Sequence, residues 1–191
     1  MKQLLLGIAL LAVIGGGIWY WQRISNDVVE RPPVEAGTPT QSPQTPRDIS
    51  VVIEDRAITL VNGESIAELV PGSASRMITR YFGNEATGDL NGDGMVDTAF
   101  LITSDSGGSG TFYYVVVALK IADSYQGTNA VLLGDRIAPQ TTEIREGELI
   151  VNYADRKPGE PMTARPSVGV SKYFMVIGQT LVEIVSSASK S

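Results

Sequence analysis

Residues 111–119 read Thr111-Phe112-Tyr113-Tyr114-Val115-Val116-Val117-Ala118-Leu119. Aromatic and β-branched side chains dominate this run. Such residues pack well on a pleated surface and lose rotamer freedom in a helix. The run therefore predicts a strand at the centre of a sheet. Phe112, Tyr113, Tyr114 and Val115 alternate along it, so about half of them should face the core.

On either side of this run the same strand signals recur between short punctuated turns. Residues 98–103 form one candidate strand and 130–133 another. Residues 49–53 and 57–61 flank Glu54-Asp55-Arg56, which reads as a hairpin turn, and Asn62-Gly63 follows as a second turn. Glu146-Gly147 joins 141–145 to 148–153, and Gly178-Gln179 joins 168–177 to 180–185. Residues 73–82 carry Ala74, Met77, Ile78, Tyr81 and Phe82 at helical spacing, yet Thr79, Tyr81 and Phe82 also suit a strand. The strand reading is preferred because the loop that follows has the form of a hairpin tip. Eight or nine short strands with Gly, Asn or Pro between them predict a mainly-β domain, an antiparallel sandwich or a partly open barrel. The chain has no internal repeat, so a propeller is not expected.

Composition narrows the chemistry. The chain has 191 residues, 15 Lys+Arg against 21 Asp+Glu, and neither Cys nor His. Disulfides, thiolate or imidazole metal sites and every His-based proton relay are thereby excluded. A net charge of −6 argues against nucleic acid as a partner, because phosphate recognition needs a basic footprint. Carboxylates, hydroxyls, amides and backbone remain. Residues 48–191 alone carry 18 acids against 11 bases.

The N-terminus reads as a membrane anchor. Leu4 to Trp21 contains no charged side chain, and a helix of that length is roughly 27 Å long, close to the hydrocarbon thickness of a bilayer. Trp19, Tyr20 and Trp21 close it with rings suited to the interface. A cleaved signal peptide is the alternative, but Gly15-Gly16-Gly17 leads into bulky Ile18-Trp19-Tyr20, not into an Ala-x-Ala site. Residues 22–47 hold Pro32, Pro33, Pro39, Pro43 and Pro46 among Thr, Ser and Gln. That composition predicts a disordered, semi-rigid tether. The parts are then an anchor over 1–21, a linker over 22–47, a β-domain over 48–186 and a polar tail over 187–191. The anchor implies the lipid bilayer as one partner.

The strongest chemical signal is Asp89-Leu90-Asn91-Gly92-Asp93-Gly94-Met95-Val96-Asp97. Oxygen side chains recur at positions one, three, five and nine: Asp89, Asn91, Asp93 and Asp97. Three carboxylates so close repel one another unless a cation neutralises them. Gly92 and Gly94 let the chain fold back, and the Met95 carbonyl falls at position seven, where a calcium loop uses backbone oxygen. Hard oxygen ligands on a flexible loop select Ca²⁺. A single closed loop is expected to serve as a structural staple. An EF-hand would need Glu at position twelve, which is Phe100 here, and the following Thr98-Ala99-Phe100-Leu101-Ile102-Thr103 reads as a strand.

The stretch from Tyr81 to Thr103 resembles the Asp-x-Asp/Asn-x-Asp-Gly-x-x-Asp loop of FG-GAP repeats, which sits between two strands. That resemblance implies calcium ligation by Asp89, Asn91, Asp93, the Met95 carbonyl and Asp97. The single copy means that propeller architecture and adhesion are not carried over. Beyond the loop, the chain is similar to a family of uncharacterised bacterial proteins with an N-terminal hydrophobic segment and a β-rich domain. The matching segments are Tyr81-Phe82-Gly83-Asn84-Glu85, Gly107-Gly108-Ser109-Gly110-Thr111-Phe112-Tyr113-Tyr114 and Val151-Asn152-Tyr153-Ala154-Asp155-Arg156-Lys157-Pro158-Gly159-Glu160. This resemblance implies a surface or periplasmic setting and no particular activity.

Weaker signals complete the reading. Ser104-Asp105-Ser106-Gly107-Gly108-Ser109-Gly110 has the composition of a flexible hairpin loop and could bend amides around an anion or sugar. Asp105 is a further candidate to approach the calcium loop, since 98–103 joins the two. Asp155-Arg156-Lys157-Pro158-Gly159-Glu160-Pro161 reads as a solvated turn. The expected function is a membrane-tethered, extracytoplasmic, calcium-stabilised β-domain acting in binding or envelope structure, with an unknown envelope protein or glycan as partner. The alternative is an enzyme on envelope glycans or peptides using paired carboxylates drawn from Asp105, Asp135, Asp155 and Glu160. No spacing among these four singles out a pair, and no catalytic residue is assigned.

Overall fold

The computed structural model describes residues 45–108 and 110–185. The expected anchor, the linker up to residue 44 and the tail over 187–191 lie outside the described residues. Those described are mainly β and contain no helix long and apolar enough to cross a membrane.

A hairpin opens the domain. β1 (Ser50–Ile53) pairs antiparallel with β2 (Arg56–Thr59). Glu54 and Asp55 both have positive φ, 47° and 64°, as a two-residue turn matched to strand twist requires. Ahead of it, a turn over Thr45–Asp48 is closed by the Thr45 hydroxyl donating to Asp48 Oδ2 at 2.6 Å. The Arg47 guanidinium stacks 4.0 Å from the centre of the Tyr81 ring. Two residues of the Pro/Thr-rich stretch, Thr45 and Arg47, thus already contact the domain.

The largest sheet holds β3 (Glu64–Glu68), β4 (Arg76–Gly88), β5 (Asp97–Asp105), β6 (Phe112–Ile121), β7 (Ser124–Gly127) and β8 (Val131–Asp135). The first five follow in order, and β8 shares with β7 the outer edge of β6, pairing with residues 112–115 while β7 pairs with 118–121. A second sheet is built from β9 (Ala138–Arg145), β10 (Glu148–Asp155), β11 (Val168–Ile177) and β12 (Thr180–Ile184), in the order β12-β11-β10-β9. Every ladder between these strands is antiparallel.

β5 and β6 are buried on both faces. Ala99 and Leu101, with Val115, Val117 and Leu119, pack against Leu149, Val151, Tyr153, Phe174, Val176 and Leu181 of the second sheet. The intervening Phe100 and Ile102, with Tyr114, Val116 and Ala118, pack against Ile49, Val51, Ile53 and Ile58 of the hairpin region. Burying each large apolar side chain contributes about 1.5–3 kcal/mol, so both covering layers are strongly held. The run that predicted a central strand is central in a fuller sense than alternation implied. Tyr114 and Val115 face opposite cores, and both are buried.

The two larger sheets meet at both margins. On one side Asn84 of β4 donates to the Gln140 carbonyl of β9 at 3.3 Å. On the other, the Asn129 side chain takes the Leu181 N–H (2.8 Å) and donates to the Leu181 carbonyl (3.1 Å), as a neighbouring strand would. The backbone around Asn129 also reaches the hairpin, where Ala130 N–H donates to the Val52 carbonyl at 2.8 Å. Thr128 bonds Val117 of β6 through both its amide and its hydroxyl. Residues 128–130 therefore tie all three sheets together.

The antiparallel, mainly-β expectation matches the structure, and the uncertain segment 73–82 lies largely in β4. Twelve strands occur among the described residues, more than the eight or nine expected. β3 and β7 carried no strand signal because Glu64-Ser-Ile-Ala-Glu68 and Ser124-Tyr-Gln-Gly127 are short and polar. They are held by main-chain pairing to β4 and β6, which local propensity does not encode. β4 runs on past Phe82 through an irregular register around Gly83–Glu85, so the hairpin tip comes six residues later than that reading implied.

Gly127 marks where the hairpin crosses the large sheet. A Cβ there would lie 2.3 Å from the Ser50 carbonyl oxygen and 3.0 Å from Val51 Cγ1. Gly127→Ala is expected to lower stability by about 1–3 kcal/mol. Gly169→Ala, which meets nothing within 4 Å, should be nearly neutral. Urea unfolding of both variants checks this, and equal midpoints would contradict the close approach.

Alkaline pH tests the same cores. Burial pushes the Tyr153 and Tyr114 hydroxyls up to about 12, with the carboxylates of Asp155 and Glu54 adding to it. Above the ordinary tyrosine value of about 10 the unfolded chain loses these protons first. Their stabilisation is therefore complete below about pH 10 and is lost as pH rises toward 12. The Tyr153 hydroxyl donates to the buried Leu133 carbonyl at 3.0 Å. Tyr153→Phe should cost about 1 kcal/mol at neutral pH and flatten the alkaline fall in melting temperature.

Candidate functional site

The acidic loop connects β4 to β5, leaving the ladder at the Gly88–Asp97 pair. Its tip is organised by side chains accepting from the loop's own amides. Asp89 takes Gly92 N–H on Oδ1 (2.7 Å) and Gly94 N–H on Oδ2 (2.9 Å). Asn91 Oδ1 accepts from Asp93 N–H at 3.1 Å, and Asp93 Oδ1 accepts from Met95 N–H at 2.8 Å. The Asn91 amide also donates to Asp93 Oδ2 at 2.9 Å. Gly92 and Gly94 adopt φ of 79° and 82°, the left-handed backbone that this fold-back needs. Each of these oxygens has a lone pair beyond the one that accepts an amide.

Asp97 plays a different part. It is 0% exposed at the start of β5. Its Oδ2 accepts Leu90 N–H and its Oδ1 accepts Lys120 N–H, both at 2.9 Å. The carboxylate thus joins the base of the loop to the end of β6. Burial raises its pKa above the usual carboxylate value. The Leu90 and Lys120 amides oppose that, and the negative charges of Asp93 and Asp89 add to it. At the exposed tip the Gly94 amide, followed by that of Gly92, holds Asp89 below the usual value.

The structure therefore brings Asp89, Asn91 and Asp93 into one hydrogen-bonded tip and sets Asp97 at the base as a strut. Met95 donates its amide to Asp93. Among the described residues, no group of three or more Asp or Glu side chains is arranged to hold a metal ion. The donor chemistry fits a hard cation: all oxygens, with three carboxylates close enough for two of them to raise the pKa of the third.

The other carboxylates singled out in the sequence serve local roles. Asp105 accepts Gly107 N–H at 2.7 Å. It lies at the far end of β5 from Asp97, about 27 Å away at strand rise, so it does not approach the acidic loop. Asp135 pairs with Arg136 (3.0 Å) and accepts Thr111 N–H (2.9 Å). Asp155 accepts Arg156 N–H, and Glu160 accepts Lys157 N–H. Arg156, read as part of a solvated turn, instead donates to the carbonyls of Ala164, Asp135 and Arg136, pinning the long β10–β11 connection to the end of β8.

One feature was not legible in the sequence. A cavity of about 310 Å³ opens at the tip of the β1–β2 hairpin, at the Ser104 end of β5. It joins Glu54, Arg56, Ser104 and Tyr114, residues up to 60 positions apart whose meeting depends on how the hairpin docks. Glu54 and Arg56 carried only a turn signal.

No family model matches the chain, and no curated protein or solved structure matches it.

The strut role of Asp97 has a direct consequence. Asp97→Ala would leave the Leu90 and Lys120 amides without acceptors and is expected to cost about 2–4 kcal/mol. Asp97→Asn retains one carbonyl acceptor and should cost less. Unfolding measured in EDTA isolates this effect from any cation; indistinguishable wild-type and Asp97→Ala curves would remove the strut.

Proposed function

We propose that this chain is a membrane-tethered, extracytoplasmic β-domain stabilised by calcium and acting in binding or envelope structure. The observation that supports it is the acidic loop. Asp89, Asn91 and Asp93 share one glycine-shaped tip, and buried Asp97 stands at its base under the negative charge of Asp89 and Asp93. Asp89, Asn91, Asp93, the Met95 carbonyl and Asp97 would hold the ion. A bound cation would offset their mutual repulsion and clamp the β4–β5 connection. Calcium is favoured over magnesium because a loop of five oxygen donors suits a larger, geometrically tolerant ion.

The setting rests on the sequence. The apolar run 4–21 supports tethering to a bilayer, and the Pro-rich stretch after it supports a spacer that holds the domain off that surface. Calcium sites in extracellular modules have Kd of about 10⁻⁴–10⁻³ M, which suits a compartment where calcium is abundant. The partner is an envelope protein or glycan.

Thermal unfolding in millimolar Ca²⁺ against EDTA tests this reading. When free calcium exceeds Kd about tenfold, stabilisation should be about 1.4 kcal/mol, a rise of several degrees in Tm. Asp93→Ala should abolish the rise, while Mg²⁺ at the same concentration should give less. An unchanged Tm in calcium would sink the proposal.

A further inference from the structure

The β1–β2 hairpin covers one face of the large sheet but stops short of its edge. Beyond the hairpin tip lies the 310 Å³ cavity, a volume at the lower end of small-molecule sites. Its floor is apolar, with Met77 of β4, Phe112 of β6 and Leu132 of β8. Phe112 and Leu132 are 39% and 44% exposed, a high value for large apolar side chains beside a core. Two hydroxyls enter from the sheet. Tyr114 donates to Glu54 Oε1 at 3.3 Å. Ser104 is only 5% exposed, lines the cavity and makes no side-chain hydrogen bond among the described residues.

The charges stand at the mouth. Glu54 is in the hairpin turn, and Arg56 stands opposite Ile53 in the register, so its side chain leaves from the same face as buried Ile53, toward the sheet. Among the described residues neither is in a salt bridge with the other or with any third group. A guanidinium and a carboxylate, neither ion-paired among the described residues and the carboxylate accepting only from Tyr114, rim a mostly apolar pocket that the Ser104 hydroxyl also lines.

We propose that this cavity binds a small zwitterion with an apolar side chain, an α-amino acid of the leucine or phenylalanine class. Its ammonium group would meet Glu54 and its carboxylate Arg56. Its side chain would lie on Met77, Phe112 and Leu132, with Ser104 supplying a further hydrogen bond. Charge complementarity selects this class: an apolar acid or amine alone leaves one mouth charge unmatched, and a sugar leaves the apolar floor unmatched. The inference goes beyond the function proposed above, adding a small-molecule ligand to the envelope partner. Its failure would be separable from failure of the calcium reading, because cavity and acidic loop lie at opposite ends of β5.

Calorimetric titration of the full-length chain with L-phenylalanine, 3-phenylpropionate, phenethylamine and N-acetylglucosamine is the test. L-Phenylalanine is expected to bind, and each singly charged analogue to bind about tenfold more weakly or worse, as loss of one charge-assisted hydrogen bond implies. Glu54→Gln, which keeps an acceptor for Tyr114, should weaken phenylalanine and phenethylamine but not phenylpropionate. Arg56→Gln should weaken phenylalanine and phenylpropionate but not phenethylamine. Both substitutions are at exposed positions, and an unchanged Tm confirms that the fold is intact. Absence of phenylalanine binding, equal binding of a singly charged analogue, tighter binding of N-acetylglucosamine, or indifference to both substitutions would each overturn the proposal.

Discussion

The domain depends on a pair of strands with no face left for water. Residues 97–102 of β5 and 114–119 of β6 are buried without interruption. Apolar side chains on both faces require apolar cover on both, and the second sheet and the β1–β2 hairpin provide it. An antiparallel sheet with one solvated face would have shown polar residues at alternate positions. Here Phe100 and Ile102 fill the cluster that Ala99 and Leu101 do not.

This burial decides where polar chemistry can reside. With the strand interiors dry, exposed oxygen and charge collect at the strand ends. At one end of β5 lies the acidic loop, and at the other the hairpin-tip cavity. Three polar side chains inside or at the margin of the cores join layers. Asp97 holds the loop base to β6, Thr128 holds the β7–β8 connection to Val117, and Asn129 supplies a strand-like partner to Leu181. A buried polar group is tolerated where its hydrogen bonds are satisfied. These residues meet that condition by bridging elements distant in sequence. Gly127 contributes by what it lacks: without a side chain, the backbone of β7 can lie against Ser50.

The acidic loop illustrates how one motif divides its labour. Its spacing places five oxygens in a pattern suited to a cation. The fold then treats them unequally, since Asp89, Asn91 and Asp93 remain at an exposed tip while Asp97 is drawn into the core. Pattern alone assigns all four side chains one role. Burial adds a structural duty to Asp97 that it would carry with or without an ion.

What could be read from the chain alone was local. The strand run around Val116, the Glu54-Asp55 and Glu146-Gly147 turns, the antiparallel β class and the glycine-shaped acidic loop follow from side-chain branching, turn conformations and spacing, which act over a few residues. The absence of Cys and His also left oxygen as the main side-chain donor to any metal ion, and neighbouring structure cannot alter that. Long-range packing settled which face of each strand meets which layer. It alone placed β3 and β7 as strands, carried Asp105 far from Asp97 and brought Glu54 to Tyr114. Each of these depends on register and on a partner many residues away, and short-range preference carries no information about either. The proposed anchor and the cavity mark the two extremes: the first is read wholly from a hydrophobic run, and the second exists only because a hairpin ends before the sheet beneath it does.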